Sequence, residues 1–240
     1  SHSSAASDVY KRQVYSFYKF HKLGNLSSLK EEILRYMNKY SIKGTILLSH
    51  EGINVNISQE KYLLDLSIKD MNESINLTNV FINKTKSKEI AFQKIKVKIK
   101  NEIIRFNCSI NNYSKQKKHL KSISPGKWEQ LLDEDIQLID MRNSFEYSLG
   151  TFKNAIGLRL KDFTDLKDRS SDLDLLDKNK KTAIFCTGGI RCEKAGLYLN
   201  ELGFNKVYQL DGGIINYLNS SEKAAKWIGN CFVFDDRIFY

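Results

Sequence analysis

Long hydrophobic runs are missing from this 240-residue sequence. No stretch reaches the roughly 18 uninterrupted apolar residues that a membrane-spanning helix needs, and the N-terminus has no apolar core of a secretory signal. Hydrophobic residues still make up 41% of the chain, which is enough for the cores of one large or two modest domains. We therefore expect a soluble cytoplasmic protein without a membrane partner.

Cysteine and histidine are scarce, with four of each. The cysteines are too few and too unevenly spaced for a disulfide scaffold, and no two form a Cys-x-x-Cys pair. Cysteines and histidines show no metal-ligand spacing, so the sequence indicates no metal site and no evident cofactor. We expect reduced thiols at all four positions, which are Cys108, Cys186, Cys192 and Cys231.

Charge of one sign is in excess. The 38 basic and 28 acidic side chains give a net charge of +10, and such an excess attracts polyanions through counterion release. Nucleic acid is therefore the first partner to consider. A solvated lysine-rich surface explains the same composition and stays open as an alternative.

The N-terminal half alternates between strand and helix patterns. We interpret residues 1–13 as a non-native, adapter-derived segment, because DVYKRQ at 8–13 resembles the translated end of a transposon. From residue 14 to 106 the order is βαββαβ, which predicts a ferredoxin-like (acylphosphatase-like) α+β domain. Its first helix is expected behind a serine cap with an acidic first turn. Its last strand is expected in FQKIKVKIKNEIIRF, residues 92–106.

Lysines occur in two different patterns between residues 94 and 122. Lys94, Lys96, Lys98 and Lys100 alternate with apolar residues; this indicates a half-buried strand with a solvated face, although a ridge facing nucleic acid is the alternative. Residues 107–122 are polar and without periodicity, which predicts a basic linker. Its candidate phosphate-binding residues are Lys115, Lys117 and Lys118.

The C-terminal half, residues 123–230, reads as strands alternating with helices, which predicts an α/β domain around a parallel sheet. Functional residues of such a sheet lie at the carboxyl ends of its strands. Residues 231–240 form a C-terminal extension. The fold class is thus α/β overall, with an α+β domain followed by an α/β domain.

The stretch FCTGGIRCEKAG, residues 185–196, joins one of these strands to a helix. Cys186 ends the strand and Arg191 opens the helix, and both the helix dipole and the arginine lower a cysteine pKa from its unperturbed value of ~8.5. We predict Cys186 and Arg191 as catalytic residues. The main chain between them is predicted to form an anion cradle, in which Gly188 and Gly189 supply unusual backbone angles; it comprises Thr187, Gly188, Gly189 and Ile190.

Both cysteines of this loop have alternative roles. A buried structural cysteine beside an ordinary arginine ion pair is the alternative for Cys186. Cys192 is a secondary thiol that forms a disulfide with Cys186, resolves a sulfenate or packs in the core, and packing is favoured. The four-residue cradle suits a persulfide sulfur better than a phosphate, for which cysteine phosphatases use five residues.

These residues resemble a known family. LIDMRNSFEYSLGTFKNAIGL (138–158), CTGGIRCEKAGLYLNELGFNKVYQLDGGIINYL (186–218), EGIN (51–54) and CFVFDDR (231–237) together resemble the bacterial rhodanese-domain tRNA uridine(34) hydroxylases. The resemblance covers residues 14–237, and members of that family commonly continue beyond position 240.

The resemblance implies an oxygen-dependent conversion of the wobble uridine of tRNA to 5-hydroxyuridine. It implies that Cys186 is the active cysteine and that the anticodon loop of tRNA is the partner. It also implies molecular oxygen as the co-substrate, together with an electron donor that the sequence does not identify. Glu51 and Asn54 are candidates for contact with the substrate or a domain interface, although a hairpin turn explains them equally well. The competing reading is a sulfurtransferase that carries a persulfide on Cys186.

Overall fold

The computed structural model describes residues 12–107, 120–220 and 225–240. They divide into two units: the first holds the chain up to Ile104 together with Phe234–Arg237, and the second holds Arg105–Val233 and Ile238–Tyr240. None of the helices in the described part of the chain has the length and apolarity that crossing a membrane requires.

The first unit is a five-stranded sheet with two helices on one face. The sheet order is β4-β1-β3-β2-β5, antiparallel except where β5 runs parallel to β2. Its elements are β1 (Arg12–Phe20), α1 (Leu26–Lys39), β2 (Lys43–Ser49), β3 (Gly52–Glu60), α2 (Lys61–Ser74), β4 (Asn83–Ser87) and β5 (Ile95–Ile99).

The predicted ferredoxin-like arrangement is confirmed, but its fourth strand was assigned to the wrong residues. Strand β4 is the polar segment NKTKS, and it pairs with β1. The lysine-rich strand is a fifth strand, added beside β2 at the sheet edge. A short strand of asparagine, lysine, threonine and serine has no alternating apolar residues. It can therefore be recognised as a strand only from its pairing with β1.

Two local predictions also change in the first unit. Helix α1 begins at Leu26 with Asn25 as its N-cap, and the Asn25 side chain accepts a hydrogen bond from the Ser28 N–H at 3.3 Å. The predicted serine cap is therefore wrong, and the predicted acidic first turn is wrong as well, because no acidic residue lies in the first turn of α1. Strand β1 includes Arg12 and Gln13, two residues of the segment interpreted as adapter-derived.

The second unit contains a parallel sheet of order β6-β11-β10-β7-β9 and a separate antiparallel pair, β12 with β8. The predicted parallel sheet is confirmed. Its strands are β6 (Leu120–Ile123), β7 (Gln137–Asp140), β8 (Gly150–Phe152), β9 (Ile156–Gly157), β10 (Thr182–Phe185), β11 (Val207–Leu210) and β12 (Trp227–Gly229). Its helices are α3 (Pro125–Leu131), α4 (Ser144–Leu149), α5 (Ser170–Asp174), α6 (Ile190–Glu201) and α7 (Gly213–Ser220), with a 3₁₀ helix at Phe163–Arg169.

The predicted linker is shorter than expected at its C-terminal end. Leu120–Ile123 pairs with β11, so residues 120–122 are sheet residues. Lys115, Lys117 and Lys118 lie outside the described residues, as does Cys108.

The core of the second unit fixes the strand ends that carry the site. Trp128, Phe152, Phe185 and Tyr217 are fully buried and belong to one apolar cluster. Phe152 contacts Phe185 edge to face, with ring centroids 4.8 Å apart, a geometry favoured by the ring quadrupoles. Phe185 is the last residue of β10 and pairs with Asp140 at the end of β7, so the residues that follow both strands emerge at the same edge.

Candidate active site

Cys186 lies directly after β10 at the carboxyl edge of the parallel sheet and is fully buried. Its Sγ accepts a hydrogen bond from the Gly189 N–H at 3.2 Å. Gly189 caps α6 with φ of 95° and ψ of −24°, a left-handed conformation that side-chain-bearing residues resist. The loop therefore folds its main chain back onto the thiol.

The sequence-based picture of this cradle is partly corrected. Of the two glycines, Gly189 alone has positive φ, and a Cβ added at Gly188 would meet open space. The main-chain N–H groups of Arg191 and Cys192 also lower the pKa of Cys186. The groups that stabilise the anionic sulfur thus extend into the first turn of α6, beyond the four cradle residues predicted.

Helix α7 holds the loop from the other side. The Ile214 N–H donates to the Cys186 carbonyl at 3.0 Å, and the Ile215 N–H donates to the Thr187 carbonyl at 3.1 Å. Gly213 has φ of +68°, and a Cβ there would lie 2.5 Å from the Cys186 carbonyl oxygen. Residues of the DGG stretch were absent from the predicted site, although paired glycines before a helix signal such a close main-chain approach.

Arg191 is bound by a carboxylate that the sequence-based site also lacked. Arg191 Nη1 donates to Glu146 Oε2 at 2.6 Å, and Arg191 Nη2 donates to Glu146 Oε1 at 2.8 Å. Both side chains are buried, at 8% and 0% exposure. A two-pronged ion pair of this kind fixes the orientation of the guanidinium as well as its charge.

Glu146 also organises its own surroundings. Its Oε1 accepts from the Thr187 hydroxyl at 3.1 Å, and its Oε2 accepts from the Asn143 N–H at 3.1 Å. Burial raises the pKa of Glu146, but hydrogen bonds from Arg191 and the charge of that residue outweigh it, so the pKa lies below its ordinary value. The Asn-x-x-Glu spacing at the start of α4 was the available sequence signal.

The same surroundings set the state of the thiol. Burial by itself raises the pKa of Cys186, but the hydrogen bond from the Cys192 thiol, the charge of Arg191 and the main-chain N–H groups of both residues lower it to about 6. The lowered pKa favours the thiolate form of Cys186 at neutral pH. Burial and the neighbouring thiolate raise the pKa of Cys192, so the second sulfur keeps its proton.

A second buried ion pair supports the strand ends. Arg142 donates to Asp140 Oδ1 at 2.9 Å through Nε and to Asp140 Oδ2 at 2.7 Å through Nη2, and both side chains are fully buried. The Arg142 guanidinium also donates to the Gly150 carbonyl, and Thr151 donates to Asp140 at 2.9 Å. These contacts join the end of β7 to β8, so the pair has a structural role.

Glu51 and Asn54 lie in the first unit, where both bind the main chain of Ile103. Glu51 Oε1 accepts from the Ile103 N–H at 2.7 Å, and Asn54 Nδ2 donates to the Ile103 carbonyl at 3.1 Å. The structure thus gives the EGIN motif a structural task, which is to hold the segment that follows β5. Contact of either residue with a substrate stays a prediction.

Comparison with known proteins assigns both halves of the chain. The UPF0176 acylphosphatase like domain matches residues 12–103, and the Rhodanese-like domain matches residues 124–220. A Legionella pneumophila (strain Corby) protein named tRNA uridine(34) hydroxylase is 40% identical over 227 residues, covering 94% of this chain and 89% of the relative. The chain belongs to the tRNA uridine(34) hydroxylase family.

Further relatives in this family agree. A Synechocystis protein of the same name is 42% identical over 229 residues, covering 94% of this chain and 81% of the relative. Among solved structures, a rhodanese-related protein from Thermoplasma volcanium is 25% identical, with a TM-score of 0.36, and the match covers 42% of this chain and 93% of that one.

The family assignment places the predicted loop in its second domain. Cys186, Arg191 and Cys192 lie within the rhodanese-like match, whereas Glu51 and Asn54 lie within the acylphosphatase-like match. Among the residues described by the structure, no group of three or more His, Cys, Asp or Glu side chains is arranged to hold a metal ion.

Proposed function

We propose that this protein hydroxylates the uridine at position 34 of tRNA, with Cys186 as the nucleophile and molecular oxygen as the co-substrate. The observation that carries the proposal is a buried cysteine that accepts a main-chain hydrogen bond at a strand-to-helix loop, in a chain that is about 40% identical to proteins named tRNA uridine(34) hydroxylase. The net charge of +10 suits a polyanionic substrate.

Cys186 acts by adding to C6 of the uracil ring. Uracil C5 is a poor nucleophile until the ring is activated, and addition of a thiolate at C6 makes C5 enolate-like. Oxygen is then added at C5; loss of the original C5 proton and expulsion of the Cys186 thiolate from C6 restore the C5=C6 double bond, so that C5–OH replaces C5–H. One atom of dioxygen enters the product and the other leaves as water, which requires two electrons and two protons from a reductant.

The remaining residues of the site position and charge the thiolate. Arg191 acts through its field, because Glu146 already occupies its hydrogen-bonding edge. The N–H groups of Gly189, Arg191 and Cys192 stabilise the anionic sulfur before substrate arrives. Such donors favour a negative charge without reorganising during the reaction.

Mass spectrometry of nucleosides from position 34 tests the proposal. Unmodified tRNA is incubated with the protein and a reductant in air, beside a Cys186→Ala variant and an anaerobic sample. We expect uridine to gain one oxygen atom only when both Cys186 and air are present. Gain of oxygen by the Cys186→Ala variant would show that another residue carries the reaction.

Sulfurtransfer is the second candidate, and the rhodanese-like match at residues 124–220 favours it. In that reaction Cys186 takes a sulfur atom from a small donor as a persulfide and passes it to an acceptor. Release of thiocyanate from thiosulfate and cyanide, dependent on Cys186 and without any hydroxylation of tRNA, would establish this function instead.

A further inference from the structure

The lysines of β5 project from the outer face of the first sheet, opposite to the face that packs on α1 and α2. Directly paired residues of a sheet project to the same side. The apolar positions Phe17, Val55 and Ile46 pair with one another in the core beneath the helices. The alternate positions form two rows across the outer face: Ser16, Asn56, Thr45 and Lys96 in one, and Tyr18, Asn54, Leu47 and Lys98 in the next.

The positive charge at this edge is not neutralised by neighbouring carboxylates. Lys94, Lys96, Lys98 and Lys100 are exposed, and within the described ranges none of them forms an ion pair. On the helical face of the same unit, by contrast, Lys39 pairs with Asp70 and Lys61 with Asp65. Alternate residues of a strand are about 6.6 Å apart, so Lys96 and Lys98 of β5, flanked by Lys94 and Lys100, form a row of concentrated positive charge.

Beside this row the outer face presents polar and aromatic groups. Ser16, Thr45 and Asn56 are half-buried, as is the ring of Tyr18. The Asn56 amide donates to Asn54 Oδ1 at 3.3 Å. Amides and hydroxyls bind the edges of unpaired bases, aromatic rings stack on their faces, and lysines bind the phosphates that follow them.

We propose that this outer face binds an unpaired RNA segment, with Lys96, Lys98 and Lys100 at its phosphates and the row of Ser16, Asn56 and Thr45 at its bases. The inference rests on the proposed function, in which the anticodon loop of tRNA supplies the unpaired segment. Single-stranded RNA is favoured over a duplex because a flat sheet reaches base edges and faces only where bases are splayed from their partners.

Fluorescence anisotropy with a labelled anticodon stem-loop RNA tests the surface, using the full chain across a range of salt concentrations. We expect the Lys96→Gln/Lys98→Gln variant to bind about tenfold more weakly, and its plot of log affinity against log salt to lose about 1.4 in slope, since each single-strand phosphate contact contributes about 0.7. A Lys96→Arg/Lys98→Arg variant should keep the slope. Circular dichroism verifies that each variant is folded.

The matched control is Lys39→Gln/Lys61→Gln, which removes the same charge from the helical face and should leave the slope unchanged. A Lys96→Gln/Lys98→Gln variant that self-associates but retains the wild-type slope would overturn the inference, because the lysines would then serve to block edge-to-edge pairing of β5. If the wild-type chain itself fails to bind the RNA, the proposed tRNA substrate fails instead.

Discussion

The two units bury different kinds of polar residue. Among the described residues 12–104 of the first unit, the buried polar side chains are all uncharged, such as Ser58, Gln59 and Thr85. The second unit buries Asp140, Arg142, Glu146, Arg191, Glu193 and Lys194. Within residues 12–104 charge is kept on the surface, where the β5 lysines are exposed.

This contrast separates a binding surface from a chemical site. Burying a charge is costly unless a partner compensates it, and perturbed groups of this kind cluster where a protein performs chemistry. Around Cys186 the charges of Glu146 and Arg191 compensate each other and hold a thiolate. Burial of an uncharged polar group costs less, and in the first unit such groups bind the main chain, as Gln59 does by donating to the Ser41 carbonyl.

The largest effect is expected from breaking the buried pair. Glu146→Gln leaves the Arg191 charge buried without its bidentate carboxylate partner, which should lower the free energy of unfolding by about 3–5 kcal/mol. Denaturant unfolding measures it. Asp174→Asn, which breaks the exposed pair with Lys178, is the control and should cost less than about 1 kcal/mol. Equal losses in both variants would remove the distinction between buried and exposed charge.

A smaller loss in the free energy of unfolding is expected from a side chain at Gly213, where α7 lies against the loop after β10. Gly213→Ala places a methyl group against the Cys186 carbonyl at a residue with φ of +68°, which should cost about 1–3 kcal/mol. It should also displace the loop and raise the pKa of the thiol. Gly188→Ala is the matched control, since a Cβ there meets open space. Identical unfolding curves for the two variants would contradict this account.

The thiolate itself gives a pH prediction. Ultraviolet absorbance of the thiolate, measured against a Cys186→Ser reference, should rise through pH 6, because the pKa of Cys186 is about 6. The folded pKa lies below that of an unfolded cysteine, so this group stabilises the fold fully above pH of about 8.5 and loses that contribution as pH falls to 6.

Replacing Cys192 tests whether its thiol lowers the pKa of Cys186. Cys192→Ala removes the thiol that donates to Cys186, so the absorbance transition should move to higher pH. Cys231→Ala is the control, because burial raises the pKa of Cys231 to about 12 and keeps its thiol protonated near neutral pH. A transition unmoved by Cys192→Ala would assign the thiolate to Arg191 and the main chain alone.

The smallest effect belongs to the first unit. Asn54→Ala removes the hydrogen bond to the Ile103 carbonyl and should cost about 1 kcal/mol. The thiolate titration should stay where it is, because Asn54 stabilises a different unit. A shift of the Cys186 transition in this variant would show that the two units are coupled and would weaken the contrast between them.

Sequence patterns predicted the long elements and missed those defined by partners. The apolar spacing of α1 and the strand before Cys186 were readable because burial imposes a period on the chain. Strand β4 carries no such period and exists through its pairing with β1. The site shows the same limit: the loop from Cys186 to Arg191 was found, whereas Glu146, 45 positions away in the chain, was not.

The sequence by itself determined the thiol, the glycine that caps α6 and the arginine beside it, since local chemistry and backbone freedom act between near neighbours. It also determined the lysine alternation of β5. Only the tertiary structure decided which carboxylate compensates Arg191, which helix holds the loop and which face of the sheet the lysines share. Those outcomes depend on contacts between distant segments, and no local pattern specifies the partner of a buried charge or the neighbour of an edge strand.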